Sequence, residues 1–163
     1  MSRLDSAIRR LQAQRACLDS AVAAVAGVEG VVFELGLGNG RTYDHLRERC
    51  PGREIYVFER QVAAHPDCIP DTAHLYLGDF ETTLPQAAAR FGGAVALLHA
   101  DIGTGEPERN RRIAAMIQPF LPRLLAPGGL AVTDQEMPFD GADPVTPPDG
   151  VAPGRIHLYR MPG

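Results

Sequence analysis

The stretch Val31-Val32-Phe33-Glu34-Leu35-Gly36-Leu37-Gly38-Asn39-Gly40 constrains the fold more than any other part of the chain. Its first half is β-branched and aromatic and carries no charge before Glu34, the pattern of a strand covered on both faces. Three alternating glycines follow. Glycine at this spacing lets the backbone turn sharply and lets a ligand approach with no Cβ in the way. Residues from Thr42 to Arg49 suit a helix, so strand, turn and helix come in the order of a nucleotide-type site. A plain surface turn would leave the acid at the strand end and the spaced glycines as coincidence.

Further apolar runs recur downstream, each stopped by an acid. Glu54 to Phe58 leads into Glu59-Arg60, and Ala73 to Leu77 into Gly78-Asp79. Ala94 to His99 leads into Ala100-Asp101, and Leu130 to Thr133 into Asp134-Gln135. Helix and turn signals separate them. Cys50-Pro51-Gly52 stops the first crossover helix. Pro66 and Pro70 keep residues 61–72 mostly in loop. Thr82 or Thr83 is the expected cap of a helix with Pro85 near its first turn and Gly92-Gly93 at its end. A helix from about Pro107 must kink or split at Pro119 and Pro122 before Pro127-Gly128-Gly129.

The N-terminal residues 1–27 read as one helix, started by Ser2 or Asp5 and ended at Gly27. Leu4, Ile8, Leu11, Leu18, Val22 and Val25 form its expected apolar stripe. That stripe suits packing on the sheet, and its spacing also allows a homo-oligomer through this helix. Residues 30–135 form the core. The segment 137–153 holds Pro138, Pro144, Pro147, Pro148 and Pro153 and is expected to lack regular structure over most of its length. Residues 155–161 give a final strand at or near the sheet edge.

Strands alternating with helices predict an α/β fold: a doubly wound, Rossmann-like, mostly parallel sheet in a single three-layer αβα domain spanning 1–163, with an N-terminal helix. In such a sheet ligands bind beyond the carboxyl ends of the strands, where strand order reverses. Glu34, Glu59, Asp79, Asp101 and Asp134 all end strands, so all five are expected to rim one crevice. Such a rim suits a ligand rich in hydrogen-bond donors and positive charge.

Composition removes other classes. A net charge of -4 gives no general attraction to nucleic acid or anionic membrane, and Arg109, Arg111 and Arg112 interleave with acids as on a solvated helix face. Cys17, Cys50 and Cys68 are odd in number, widely spaced and without a CxxC pair, which fits reduced thiols in a cytoplasmic protein. No apolar run approaches the roughly 20 residues of a membrane span. Arg3, Asp5, Arg9, Arg10 and Arg15 interrupt any signal-peptide core.

The run Glu34-Leu35-Gly36-Leu37-Gly38-Asn39-Gly40 resembles motif I of the class I S-adenosylmethionine-dependent methyltransferases, an acid, any residue, then G-x-G-x-G. The resemblance extends from about Val31 to Thr133 and includes Glu59, Gly78-Asp79, Asp101 and the segment Leu124 to Gly129. It implies a methyltransferase using S-adenosyl-L-methionine, with a cofactor site at Glu34, Gly36, Gly38, Gly40, Glu59, Arg60, Asp79, Phe80 and Asp101. Glu59 would accept hydrogen bonds from the ribose diol, and Asp79 from the adenine amine with help from the Phe80 backbone. Glu34, Gly36 and Gly38 would line the methionine part, with Arg41 or Thr42 as donors to its carboxylate. Asp101 and His99 are the candidate catalytic residues, Asp101 ahead of His99, with Glu136 also near the crevice and His99 better read as a residue buried near a strand end.

Catechol-type members hold magnesium through acids after the fourth and fifth strands. Asp101 and Asp134 match those places, but Gln135 stands where that pattern has Asn, and no metal is expected. The Asn/Asp-Pro-Pro-aromatic motif of base and amide methylation is missing after Leu98, which points to a small-molecule acceptor rather than nucleic acid. The usual closing antiparallel hairpin is expected to be reduced to one strand around Ile156 to Tyr159. Two alternatives stay open. A non-catalytic sensor or partner subunit would also keep the binding acids. An NAD-dependent oxidoreductase would want its third glycine at position 41, where the chain has Arg41.

Overall fold

The computed structural model describes residues 2–163. Helix α1 (Arg3–Ala24) leads into strand β1 (Val31–Leu35), helix α2 (Arg41–Arg49) and strand β2 (Ile55–Glu59). Strand β3 (Leu75–Leu77), helix α3 (Phe80–Phe91) and strand β4 (Val95–Ala100) follow. Helix α4 (Pro107–Ile117) and the short α5 (Leu121–Leu124) precede β5 (Leu125–Thr133), β6 (Asp143–Val145) and β7 (His157–Arg160). The strands form one sheet in the order β3-β2-β1-β4-β5-β7-β6. The first five are parallel, and β7 runs antiparallel to both β5 and β6. The chain winds outward from β1 to β3 and then returns to the other side of β1 for β4. The strand order therefore reverses between β1 and β4, where a doubly wound sheet opens its crevice.

Alternation along each strand gives the sheet two apolar faces. Phe33, Phe58, Leu98 and Ala131 pack with Leu84, Ile117 and Leu121 from α3 to α5. Val32, Val57, Leu97 and Leu130 pack with Leu18 of α1 and Leu46 of α2. Every residue of β4 is buried, as expected of a central parallel strand.

Helix α1 departs from the expected stripe. Ser2 caps it in a reciprocal capping box with Asp5, but Leu4 and Ile8 are 68% and 44% exposed. The helix buries Ala13, Gln14, Cys17, Leu18 and Ala21, and Val25 at its end is buried too, so Leu18, Val22 and Val25 of the expected stripe pack on the core while its N-terminal members do not. Only the second half of α1 overlies β5 and α2, and the small side chains there let the helix sit close. Leu18→Ala should therefore cost about 2–5 kcal/mol in thermal or urea unfolding, while Leu4→Ser and Ile8→Ser should each stay within about 0.5 kcal/mol.

Three further boundaries differ from expectation. Helix α3 begins at Phe80 rather than at a Thr82 or Thr83 cap, because the N–H groups of Thr82 and Thr83 already donate to the Asp79 carbonyl. Pro85 therefore lies inside that helix. Strand β5 starts at Leu125, five residues early, and absorbs Pro127-Gly128-Gly129 through a register shift against β4. A Cβ at Gly129 would stand 2.9 Å from the Val95 carbonyl oxygen, so only glycine lets the two backbones close there. The Pro-rich segment is irregular over most of its length, as expected, but contributes the three-residue β6, so the closing hairpin is kept rather than reduced. Pro144 sits in the edge strand, where a missing N–H costs no sheet bond. Strand β7 lies one place inside that edge. Met137 is fully buried, and its N–H donates to the Tyr159 hydroxyl at 3.1 Å.

Among the described residues no helix is long and apolar enough to cross a membrane. The three cysteines are unbonded, and burial pushes the Cys17 thiol up to about 11.

Candidate cofactor and acceptor site

The turn after β1 is built on left-handed glycines. Gly36, Gly38 and Gly40 have φ values of 90°, 51° and 83°, a region other residues rarely adopt. At Gly36 an added Cβ would lie 2.7 Å from the Asp101 carbonyl oxygen, since β1 and β4 end side by side. At Gly40, which caps α2, it would collide with the Cys68 side chain. At Gly38 the missing Cβ faces open space.

Glu59, at the end of β2, clamps this loop. Its Oε2 accepts from the N–H groups of Leu37 at 2.8 Å and Gly38 at 3.2 Å. Its Oε1 accepts from Arg60 at 2.7 Å and Gln61 at 3.1 Å. Four N–H donors fill the roughly four lone-pair sites of a carboxylate. The ribose bonding expected of Glu59 must therefore exchange with loop amides. Asp79, at the N-cap position of α3, makes no side-chain hydrogen bond to the described residues.

These elements enclose a cleft of about 450 Å³ beyond the strand ends. Gly36, Gly38, Glu59, Arg60, Asp79, Phe80 and Asp101 all line it, and Ile113 and Met116 of α4 supply an apolar wall. A recess of about 80 Å³ continues from it between the glycine loop and α1, reached by Arg41, Thr42 and Asp101. A separate apolar groove between α1 and α2 carries no strand-end carboxylate.

Two of the five acids do not rim the cleft as expected. Glu34 is fully buried beneath the loop. It accepts from the Thr42 hydroxyl and pairs with His99 Nδ1 at 2.7 Å. Its position on β1 points it to the α1/α2 face, directly across from His99 on β4, so the two meet below the loop. Burial pushes the His99 pKa down, but the charge and hydrogen bond of Glu34, with Asp101 and Asp134 beyond, outweigh it and leave the value raised. His99 is thus a buried partner of Glu34 and lies off the cleft lining. Thr42, expected as a donor to a ligand carboxylate, already donates to Glu34.

Asp134 turns inward as well. Its oxygens accept from Ile102 N at 3.0 Å and Gly103 N at 2.8 Å and so tie down the loop after β4. Burial holds its pKa up, against the pull of those hydrogen bonds. Among the described residues no group of three or more His, Cys, Asp or Glu side chains is arranged to hold a metal ion.

Asp101 remains at the cleft, held from α1. Its Oδ2 accepts from Gln14 Nε2 at 2.6 Å, and Arg10 approaches the same oxygen at 3.6 Å. Sequence reasoning missed Gln14. The signal was present: Gln14, Cys17, Leu18 and Ala21 fall at i, i+3, i+4 and i+7, and a lone polar residue in such a series marks a buried contact. Arg10 and Arg155 carry no comparable sequence signal, because only the fold brings α1 and the start of β7 to this place.

Residues 1–161 match the family described as S-adenosyl-L-methionine methyltransferase. An S-adenosyl-L-methionine methyl transferase from Silicibacter pomeroyi DSS-3 is 51% identical, with 99% of each chain covered and a TM-score of 0.93. The antibiotic-resistance methyltransferase Kmr is 15% identical over 91% of this chain and 93% of its own, with a TM-score of 0.55. A SAM-bound amino pentose methyltransferase from Micromonospora echinaspora is 18% identical over 91% of this chain and 65% of its own, with a TM-score of 0.52. The last two establish likeness of fold. No curated protein sequence matches the chain.

Proposed function

The chain belongs to the S-adenosyl-L-methionine methyltransferase family, and on that footing we propose that it binds S-adenosyl-L-methionine in the strand-end cleft and transfers the methyl group to a small-molecule acceptor. The observation that carries this reading is the pairing of an unengaged carboxylate, Asp79, with an open glycine turn in one cleft of ligand size. Its volume falls within the roughly 300–1,000 Å³ of small-ligand sites.

The residues fit the ligand part by part. Asp79 and the Phe80 backbone take the adenine amine, against the apolar wall of Ile113 and Met116. Glu59 takes the ribose hydroxyls in exchange for loop amides. Gly36 and Gly38 admit the methionine chain without a Cβ in its path, and Arg41 faces its carboxylate from the recess. The cofactor supplies an electrophilic methyl on a sulfonium, displaced in line by the acceptor.

The protein's share of the reaction is to align the acceptor and exclude water, since orientation alone can account for several orders of magnitude in rate. Asp101 is placed to receive a proton from the acceptor or to hold the ligand's ammonium, and Gln14 fixes its orientation. His99 acts through Glu34, as a positioning residue beneath the loop.

The test is thermal unfolding with S-adenosylmethionine, S-adenosylhomocysteine, NAD and FAD side by side. A ligand at 100 times its Kd should add about 2.7 kcal/mol of stability. The first two should stabilise and the others not. Stabilisation by NAD alone would overturn the reading. Tight S-adenosylmethionine binding with no transfer across a broad acceptor panel would favour a sensor.

A further inference from the structure

We propose that the acceptor is a small molecule carrying a carboxylate or phosphate group, and that Arg155 holds that group in a second cavity beside the cofactor cleft. The proposal rests on the cofactor occupying the strand-end cleft. This second cavity, about 570 Å³, is bounded by Arg10 and Gln14 of α1, by Asp101 and Asp134 at the ends of β4 and β5, and by Arg155 and Ile156 before β7. It shares Gly38, Asp101 and Gly103 with the cofactor cleft. A nucleophile seated there reaches the donor across that common wall, next to Asp101.

The charges in this cavity are unequally engaged. Asp134 spends its oxygens on the N–H groups of Ile102 and Gly103, and Asp101 is bound by Gln14 and approached by Arg10. The guanidinium of Arg155 makes no hydrogen bond or ion pair with any described residue, although the residue is only partly exposed. Of the charged side chains that line the cavity, Arg155 is the one left without a hydrogen-bond or ion-pair partner among the described residues. Arg155 also lines an adjoining depression of about 560 Å³ with Arg9, Arg15 and one acid, Asp149, and neither Arg9 nor Arg15 has a side-chain partner among the described residues, so three arginines face a single carboxylate there. In a chain of net charge -4, unpaired arginines gathered on the approach to one cavity favour entry of an anion. The planar fork of arginine matches carboxylate and phosphate oxygens two at a time.

The experiment uses the full chain saturated with S-adenosylhomocysteine. Small carboxylates and phosphate monoesters are titrated by calorimetry, each beside its neutral amide or alcohol. At least one acid should bind about tenfold or more tightly than its neutral counterpart, and Arg155→Ala should remove about tenfold of that affinity, as loss of a charge-assisted bond does. Arg155→Lys should recover part of it. The carboxylate and phosphate arms identify which anion is read. S-adenosylhomocysteine affinity of Arg155→Ala should stay within about twofold of the parent, the scatter expected where no contact is lost. No discrimination between acids and neutral analogues, or full acid affinity in Arg155→Ala, overturns the acceptor proposal alone. Failure of S-adenosylhomocysteine to bind the parent protein overturns the cofactor assignment instead.

Discussion

Glu59→Ala is expected to weaken S-adenosylmethionine binding by about a hundredfold or more in calorimetry. The reason is double. The carboxylate is the proposed acceptor for the ribose hydroxyls, and it also fixes the loop by accepting from Leu37 and Gly38. Hydrogen bonds to a charged group contribute about 1.5–3 kcal/mol each, and two of them correspond to roughly a hundredfold or more. Glu59→Gln separates the roles. Both oxygens face N–H donors, so an amide must present its own NH₂ to one donor pair. If the clamp on the loop matters, Gln will be nearly as damaging as Ala. If only the ribose contact matters, Gln will retain most of the affinity. Unchanged affinity in both variants would remove Glu59 from the site.

The second large effect lies out of sight of the ligand. Glu34→Ala removes the only charged partner in contact with His99 among the described residues and leaves the Thr42 hydroxyl without its acceptor. Breaking a buried pair by deleting one member costs about 3–5 kcal/mol, with the lower end expected here because the imidazole can shed its proton. At about 2–4 °C per kcal/mol for a chain of this length, the midpoint should fall by roughly 6–12 °C.

Its pH dependence is the sharper readout. In the parent protein the folded pKa of His99 is raised above its ordinary 6.5. The folded state therefore holds the proton more tightly than the unfolded chain. The resulting stability is fully present below about 6.5 and is lost as pH rises through the folded value. Without Glu34, burial prevails over the weaker pull of Asp101 and Asp134, and the folded pKa drops. Stability should then fall as pH falls, so the slope reverses sign. Melting curves across about pH 5 to 9 decide the matter, the parent's slope lying above about 6.5 and the variant's reversed slope below it, and an unchanged slope would show that the pair does not couple to folding.

Both predictions concern residues that the sequence singled out but whose partners it could not supply. Glu59 and Glu34 were legible as acids ending strands, because a charged residue after a buried apolar run stands out against its neighbours. Their difference was not legible. Glu34 pairs with Val57 and Glu59 lies two residues further along β2, so both point to the same face of the sheet. Glu59 stands beyond that register at the carboxyl edge, where the cleft opens, while Glu34 stays level with His99 beneath the glycine loop. Asp134 was misplaced for a related reason: nothing in its own neighbourhood announces that Ile102 and Gly103 will offer it two N–H groups.

The sequence by itself determined the sheet, the glycine turn and the class of ligand, because those depend on local pattern: apolar period, glycine spacing and the acids that follow. Tertiary structure alone decided what surrounds them. It turned α1 so that Gln14 rather than Leu4 or Ile8 meets the core, drew β6 out of a proline-rich segment by pairing it with β7, and brought Arg10 and Arg155 to one cavity. Positions 10 and 155 are joined by no local period. Only the packing of α1 against the closing hairpin side of the sheet sets them together, and with them the chemistry proposed for the methyl acceptor.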